Sequence, residues 1–374
     1  MSLYPIWAEV NLAAIAHNIG EVCRVIKPGT KVMVAVKANG YGHGAVEVAK
    51  TALRSGADSL AVARVNEALE LRSHDIDCPI LVLGYIPSEQ YPEVINHNIT
   101  PTLYSVESAQ KLNQIALQEG QRVKVHIKVD TGMARLGFIP EEETVKEIKQ
   151  LLELPMLQAE GIYTHFADAD NNDKSYTHMQ FARFMDFLDR LHGEGIDFEI
   201  RHAANSAAII DLPETHLDMV RPGIMVYGLY PSPHVNTDRV KLRPAMTLKT
   251  RVGHVKEVDA GTFVSYGCSY CTPHKTTLAT LPVGYADGFT RMLTKGEVLI
   301  HGVRAPVVGT ICMDQCMVDV GHIKGVKPGD EVAVFGGEQR DAIPVEEVAN
   351  KLGTINYEVI CMVTARVPRL YIHA

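Results

Sequence analysis

A lysine directly after a short apolar run is the first residue whose position suggests chemistry. Lys37 follows Val32–Val36, a run of strand length, and opens a glycine-rich turn that contains Tyr41 and His43. A lysine at the carboxyl end of a parallel strand is partly desolvated, which favours the nucleophilic amine. Such lysines form Schiff bases with carbonyl compounds, including pyridoxal phosphate (PLP). The alternative is an ordinary surface lysine at a strand exit.

A second segment carries basic side chains on one face of a predicted strand. Residues 123–129 alternate apolar side chains with Lys124, His126 and Lys128. Barrel strands turn their apolar face to the surrounding helices and their other face to the lumen, so a basic face predicts a charged site. An edge strand with one solvated face is the alternative. Arg135, in the turn beyond the strand, is placed to reach a carboxylate.

Two further barrel segments place polar residues where strands are expected to end. His165 follows the predicted strand at 159–164, although a lone histidine at such a place is more often structural. Ser206 and the backbone N–H groups near Gly223 suit a phosphate site, which barrels often build after their last strands. Arg221 lies directly before that loop.

Alternating helical and strand patterns must position these residues. Helical spacing is found at 12–26, 45–53, 141–151 and 174–193, between predicted strands at 32–36, 59–63, 80–83, 123–129 and 159–164. This alternation predicts a parallel sheet with helical crossovers. Its length fits a (β/α)₈ barrel, which takes about 250 residues. An open doubly wound sheet is the alternative.

The pattern changes near residue 240. Short β-rich segments separated by glycine and proline follow, at 246–255, 278–283, 303–312, 316–320 and 331–335. Only Val345–Leu352, after Pro344, has helical spacing. We therefore predict an N-terminal barrel domain at 1–239 and a mostly β C-terminal domain at 240–374, with the boundary in the proline-containing segment 231–244.

Composition limits the class of protein. The chain has 374 residues, 36 basic and 44 acidic, and a net charge of −8, which gives no sign of a nucleic-acid partner. No apolar stretch approaches the ~20 residues that span a bilayer. No lysine or arginine precedes Arg24, which argues against a secretory signal. Seven scattered cysteines, an odd number, predict a reduced, cytoplasmic protein without a disulfide framework.

Taken together, these segments resemble the alanine racemases, PLP-dependent isomerases with a (β/α)₈ barrel and a C-terminal β domain. The resemblance is carried by VAVKANGYGHG, KVDTGMARLG and THFADAD in the barrel, and by VSYG, GYADG and MDQ in the second domain. Gly40 departs from the family, which commonly has alanine in this turn. The resemblance implies interconversion of L- and D-alanine, either supplying D-alanine for peptidoglycan of the cell wall or serving alanine catabolism.

The resemblance also implies roles for residues at the cofactor. Lys37 would hold PLP as an internal aldimine and act as one base, and Tyr266 would be the base on the opposite face. Arg221 would face the pyridine nitrogen, and His165 would support Tyr266 together with Arg221. The implied phosphate ligands are Tyr41, Ser206, Gly223, Ile224 and Tyr357.

For the substrate, the resemblance implies that Arg135 and the Met313 backbone N–H bind the carboxylate. Lys128, as a carbamate, would orient Arg135, and Asp314 would lie beside Met313. Tyr285, with Tyr357, would narrow the entrance to the site. The family further implies a homodimer in which each site is shared between two chains.

Other functions remain open at this point. A PLP decarboxylase of the same architecture would place a carboxylate, not Arg221, against the ring nitrogen. A non-catalytic PLP carrier would not need the C-terminal domain, and a racemase of broader specificity would also turn over serine. A structural zinc site is a weaker alternative, from two cysteine pairs: Cys268 with Cys271, and Cys312 with Cys316. We expect no metal.

Overall fold

The computed structural model describes residues 3–293, 295–337 and 342–373. These form two compact units, each described separately below. One unit contains Ala14–Gly40 and Ala45–Arg243. The other contains the chain up to Ala13, Tyr41–Gly44 and the chain from Pro244 onward. No helix among the described residues is long and apolar enough to cross a membrane.

Eight parallel strands of the described residues close into a barrel in the first unit. In chain order they are Lys31–Ala35, Ser59–Val62, Ile80–Val82, Thr100–Leu103, Val123–Lys128, Leu157–Tyr163, Ile200–His202 and Met219–Val220. Pairing of Lys31 with Met219 and of Val32 with Val220 completes the ring. The predicted (β/α)₈ barrel is therefore confirmed, and the open doubly wound sheet is wrong.

Helices surround these strands because each turns an apolar stripe toward the barrel. In Ala45–Arg54, for example, the buried residues include Val48, Ala49 and Ala52, at the three- and four-residue steps of one helix face. The other helices of this unit are Leu12–Val25, Val65–Arg72, Tyr91–Asn96, Val106–Glu119, Glu142–Leu152, Ser175–Gly193 and Ser206–Asp211. Lys37–Tyr41 forms a helical turn that contains left-handed backbone.

The barrel lumen holds an apolar cluster and, beside it, polar side chains. The cluster consists of Met33, Ala61, Leu81, Tyr163, Ile200 and Met219. On the strand Val123–Lys128, His126 and Lys128 are buried and Lys124 is exposed. The basic face of this strand therefore lies in the protein interior for two of its three residues, and the edge-strand alternative is wrong.

The second unit is built on a nine-stranded, mostly antiparallel sheet of described residues. Its order is His254–Val258, Thr276–Leu281, Cys316–Asp319, Val303–Val308, Glu297–Ile300, Glu331–Phe335, Met246–Arg251, Ile6–Asn11 and Arg369–Ile372. A ribbon of Phe263–Val264 and Tyr270–Cys271 and two helices, Val345–Leu352 and Asn356–Met362, complete it. The predicted mostly β C-terminal domain is confirmed.

Three features of this unit differ from the local patterns. The N-terminal strand Ile6–Asn11 joins its sheet, antiparallel to Met246–Arg251 and parallel to Arg369–Ile372. The predicted β-rich segment 246–255 covers parts of two strands, because the chain turns at Val252 and Gly253. The helix Asn356–Met362, which the spacing did not predict, follows Val345–Leu352 after a left-handed Gly353.

Candidate active site

The loop that carries Lys37 has an uncommon backbone. Ala38, Asn39 and Gly40 have φ of 52°, 53° and 60°, a left-handed run that L-residues rarely adopt because Cβ crowds the following carbonyl. Strained backbone of this kind clusters at functional sites, where surrounding contacts hold it. One such contact comes from Glu67, whose carboxylate accepts the Ala38 N–H at 2.6 Å.

Glu67 also connects this loop to the end of the next barrel strand, Ser59–Val62. Its second carboxylate oxygen accepts the N–H groups of Ala63 at 2.7 Å and Arg64 at 3.1 Å. Sequence reasoning missed Glu67, because a glutamate in the first turn of a helix is an ordinary capping residue. The structure shows that the same carboxylate holds the residue after Lys37.

Arg221 is the central cation of the barrel site. Its side chain is 6% exposed and donates through Nη2 to the carbonyls of Thr164 at 2.8 Å and Ala203 at 3.0 Å. Nη1 donates to Nδ1 of His202 at 2.8 Å, and Nη2 shares one of its two hydrogens with Nδ1 of His165 at 3.1 Å. These acceptors are uncharged, and no carboxylate of the described residues pairs with Arg221. Its positive charge is therefore available to a ligand.

Burial lowers the pKa of Arg221 to about 10, so that the guanidinium stays protonated at neutral pH. The pKa of His165 lies well below its usual range, first because of burial and then because of Arg221, Lys128, Arg135 and Lys37. His165 is therefore neutral. Basic side chains of four predicted site residues thus contribute to the lowered pKa of this imidazole.

Lys128 lies in the same interior region. Its ammonium nitrogen is 4.8 Å from the centre of the Tyr163 ring, and Arg221 lies 5.1 Å from that centre. Burial first, and then the charges of Arg221 and Arg135, hold the pKa of Lys128 well below its usual range. The neutral amine is thereby favoured at this position.

Asp130 shapes the turn that presents Arg135. Its Oδ1 accepts the N–H groups of Gly132 and Met133 at 2.9 Å and of Ala134 at 3.1 Å, and Oδ2 accepts the Arg135 N–H at 3.1 Å. Partial burial opposes ionisation, but these four hydrogen bonds together lower the pKa of Asp130. The Arg135 side chain itself is exposed.

The predicted phosphate ligands of the barrel lie together. Ser206 Oγ accepts the Gly223 N–H at 2.9 Å and lies 3.5 Å from the Met225 N–H. Ser206 and Ile224 are both buried. Asn205 caps the helix that begins at Ser206 by accepting the Ala208 N–H. A hydroxyl and two backbone N–H groups thus lie close together, as an anion site requires.

In the second unit, Tyr41 and Tyr357 are neighbours. Their ring centres are 6.3 Å apart at an interplanar angle of 48°. Tyr41 is buried, and this burial raises its pKa, so that its phenol remains protonated at neutral pH. The structure therefore brings the two predicted tyrosine ligands of the phosphate together.

The loops of Tyr285 and Met313 are joined by backbone hydrogen bonds. The Tyr285 N–H donates to the Cys312 carbonyl and the Ala286 N–H to the Met313 carbonyl, both at 3.1 Å. A Cβ on Gly284 would lie 2.3 Å from the Met313 carbonyl oxygen, so only glycine permits this approach. Side chains of Tyr285 and Met313 remain partly exposed.

Arg366 forms two ion pairs beside these loops. It pairs with Asp314 at 2.8 Å and with the buried Asp287 at 2.9 Å. Asp287 in turn accepts the Gly284 N–H at 2.9 Å. Arg366 and Asp287, which the sequence did not single out, therefore hold Asp314 next to the Tyr285 loop.

Tyr266 lies on a third loop of this unit. Its backbone carbonyl accepts the Thr310 hydroxyl at 2.9 Å, while its side chain is 72% exposed. The residue before it, Ser265, has a positive φ of 65° and donates its hydroxyl to the Thr310 carbonyl. The seven cysteines are free thiols, and no described group of three or more metal-ligating side chains is arranged to hold a metal ion.

Comparisons with known proteins agree over the whole chain. The family model of the alanine racemase N-terminal domain matches residues 10–231, and that of the alanine racemase C-terminal domain matches residues 245–371. The alanine racemase of Methanococcus maripaludis is 58% identical over 373 residues, covering 100% of both chains. That of Desulforamulus reducens is 58% identical over 98% of this chain and 99% of its own.

Solved structures give the same answer. Alanine racemase of Clostridium difficile has a TM-score of 0.97 and 47% identity, covering 100% of this chain and 97% of its own. Alanine racemase of Bacillus anthracis with bound L-Ala-P has a TM-score of 0.92 and 39% identity, covering 100% and 96%. The resemblance seen in the motifs is confirmed: this chain belongs to the alanine racemase family.

Proposed function

We propose that this chain is a PLP-dependent alanine racemase, an isomerase that interconverts L- and D-alanine. The observation that carries the proposal is the buried Arg221, which lies with Lys128 beside the Tyr163 ring and whose hydrogen-bond acceptors are all uncharged. Such a site calls for an anionic ligand, and both the phosphate of PLP and the carboxylate of alanine meet that need.

The residues present fit PLP. Ser206, Gly223 and Ile224, with Tyr41 and Tyr357, would hold the phosphate through hydroxyl and N–H donors, and Lys37 would bind the carbonyl carbon. Arg221 would face the ring nitrogen, whereas a decarboxylase would place a carboxylate there. When bound, PLP supplies an electron-withdrawing ring that makes the Cα–H of an attached amino acid acidic enough to be removed.

Racemisation requires a proton to leave Cα on one face and another to arrive on the opposite face. Lys37 and Tyr266 are the two bases that we propose for these faces. A phenol becomes an effective base only when nearby cations or hydrogen-bond donors stabilise its phenolate, and Arg221 with the N–H of His165 would provide that support. Arg221 does not give up its proton, so it would leave the ring nitrogen unprotonated and limit side reactions.

The exposed cation Arg135 suits binding of the substrate carboxylate. Arg135 and the Met313 N–H would bind the carboxylate, with Asp314 beside Met313. Lys128, whose environment favours the neutral amine, would carry a carbamate that orients Arg135. Tyr285 and Tyr357 would keep the entrance small and favour alanine. One extra group on a substrate changes binding by only about 1–3 kcal/mol, so some turnover of serine is expected.

We further propose a cytoplasmic homodimer in which each site is shared between two chains. In a single chain Tyr266 and Met313 are 72% and 53% exposed, more than expected of side chains that act on a buried substrate. A second copy would cover them.

The functional division we propose is residues 1–239 for the cofactor and 240–374 for the second base, although Ile6–Asn11 pairs with the C-terminal sheet. The expected role is supply of D-alanine for peptidoglycan.

Chiral chromatography of L-alanine incubated with the purified protein and PLP tests the activity. We expect D-alanine to form up to a near-equal mixture, and Lys37→Ala to abolish this. Lys111→Ala, on an exposed helix face, is the matched control and should behave as the unmodified protein. Absence of D-alanine from folded, PLP-loaded protein would refute the proposal.

A further inference from the structure

Two hydrogen-bonded imidazoles, His202 and His126, extend from Arg221 in the barrel interior and are called the imidazole chain below. His202 Nδ1 accepts from Arg221 at 2.8 Å, and His202 Nε2 lies 2.8 Å from His126 Nδ1. His126 Nε2 is 3.9 Å from a carboxylate oxygen of Glu160, too far for a direct hydrogen bond but close enough for the carboxylate to attract an N–H dipole. Both histidines are almost fully buried, at 0% and 3% exposure.

The direction of every N–H in this chain follows from Arg221. Arginine only donates, so His202 Nδ1 must be the acceptor and its proton must lie on Nε2. That proton is donated to His126 Nδ1, which places the His126 proton on Nε2, facing Glu160. Burial is the main reason that the pKa of each histidine is lowered, so both rings are neutral. One tautomer of each ring therefore satisfies all three contacts.

The backbone of the neighbouring strand leaves room for the His126 ring of the imidazole chain. Val125 pairs with Ala159 and His126 with Gly161, so Glu160 is the extra residue of a β-bulge. A Cβ on Gly161 would lie 2.6 Å from His126 Cε1, so the glycine makes room for the ring. These two local features are separate from the Arg221 contact and both serve His126.

Further contacts support each end. The ring of Tyr163 stacks on His202 with centres 4.6 Å apart and an angle of 11°. The other oxygen of Glu160 pairs with Lys124 at 2.6 Å, at the exposed start of its strand. The chain thus runs from a buried guanidinium to a carboxylate near the surface, with neutral rings between.

We propose that His126 is a positioning residue: by accepting the Nε2–H of His202, it orients the ring whose Nδ1 in turn orients Arg221. Glu160 supports the chain by attracting its last N–H. A neutral acceptor leaves the full charge of Arg221 for the ligand, whereas a carboxylate in contact would neutralise it. The effect on catalysis rests on the proposed racemase function, but the tautomers do not.

A matched pair of variants tests this. Asparagine and leucine have nearly the same shape, but only His126→Asn retains an acceptor for the His202 N–H, whereas His126→Leu leaves that donor unsatisfied. The readout is ¹⁵N NMR of protein labelled at histidine, which separates protonated from unprotonated ring nitrogens. Racemisation kinetics and thermal melting are recorded on the same samples.

In the unmodified protein we expect protonated Nε2 and unprotonated Nδ1 on both rings. His126→Leu should shift the His202 Nε2–H signal, because that donor loses its acceptor, and lower kcat about 10-fold with little change in KM, as for one lost hydrogen bond. His126→Asn should restore the spectrum and the rate.

Three results would overturn the proposal: Nδ1-protonated His202 in the unmodified protein, an unchanged His202 spectrum in His126→Leu, or equal effects of the two variants. The first needs no variant and applies even if His126→Leu does not fold. An unmodified protein that fails to racemise alanine but shows the expected tautomers would refute the proposed function and leave the imidazole chain intact.

Discussion

Nδ1 of His165 accepts a hydrogen bond from the Arg221 guanidinium at 3.1 Å. Because arginine only donates, the neutral His165 must carry its proton on Nε2. One contact therefore sets both the protonation and the orientation of this imidazole. It also makes His165 a donor toward any anion that approaches from Nε2, which suits a phenolate of Tyr266 in the proposed mechanism.

Arg221→Glu should change the balance of reactions. A carboxylate at this position would favour a protonated ring nitrogen and a stronger electron sink, which promotes transamination. We expect kcat for racemisation to fall by about 100-fold or more, because several buried hydrogen bonds from a charged donor are lost. The ratio of pyruvate to D-alanine, measured by chromatography, should rise. Arg190→Glu, at an exposed helix position, is the control, and an unchanged ratio in Arg221→Glu would contradict the idea.

Mixtures of two inactive variants test whether sites are shared between chains. Lys37→Ala and Tyr266→Phe should each be nearly inactive, and mixing them should restore activity because a hybrid dimer contains one site with both bases. With free exchange of equal amounts, about a quarter of the original activity is expected. Subunit exchange is checked with differently tagged chains. If tagged chains exchange and the mixture stays inactive, each site belongs to one chain.

Asp130→Asn should loosen the turn of Arg135. We expect a higher KM for alanine and a free energy of unfolding that is lower by about 1 kcal/mol at neutral pH, since an amide accepts fewer of the four hydrogen bonds. The folded pKa of Asp130 is depressed. Its stabilising contribution is therefore full above the unfolded pKa and is lost as pH falls through the folded pKa.

The difference between Asp130→Asn and the unmodified protein should shrink accordingly in acid. Thermal or urea unfolding between neutral and acidic pH measures it, with Asp189→Asn at an exposed helix position as the control. A difference that stays constant down to strongly acidic pH would show that the carboxylate charge contributes nothing.

Glu67→Gln should weaken the hold on the Lys37 loop. Glutamine has one acceptor oxygen, whereas Glu67 uses both oxygens for the N–H groups of Ala38, Ala63 and Arg64. We expect about 1 kcal/mol lower stability and faster loss of PLP on dialysis, followed by its absorbance. Glu70→Gln, exposed on the same helix, should change neither quantity. Equal PLP retention in both variants would show that Glu67 does not contribute to PLP binding.

Local patterns predicted most of the barrel because its strands are short buried runs and its helices have apolar stripes. The position of Lys37 after Val32–Val36 and the basic face of Val123–Lys128 were visible for the same reason. Conversely, the pairing of Ile6–Asn11 with Met246–Arg251 joins segments far apart in the chain, and no local pattern encodes a pairing partner. The helix Asn356–Met362 was missed because it is only seven residues long.

The sequence by itself determined the fold class, the order of the elements and the residue types at the strand ends, since periodicity and strand-end chemistry are local properties. The motifs also carried the resemblance to the alanine racemases, which the comparisons confirm. Only the tertiary structure decided that Arg221 is surrounded by neutral acceptors, that Glu67 holds the Lys37 loop and that His126 contacts His202. Those relationships depend on distances between groups on different strands, loops and helices, which barrel closure sets.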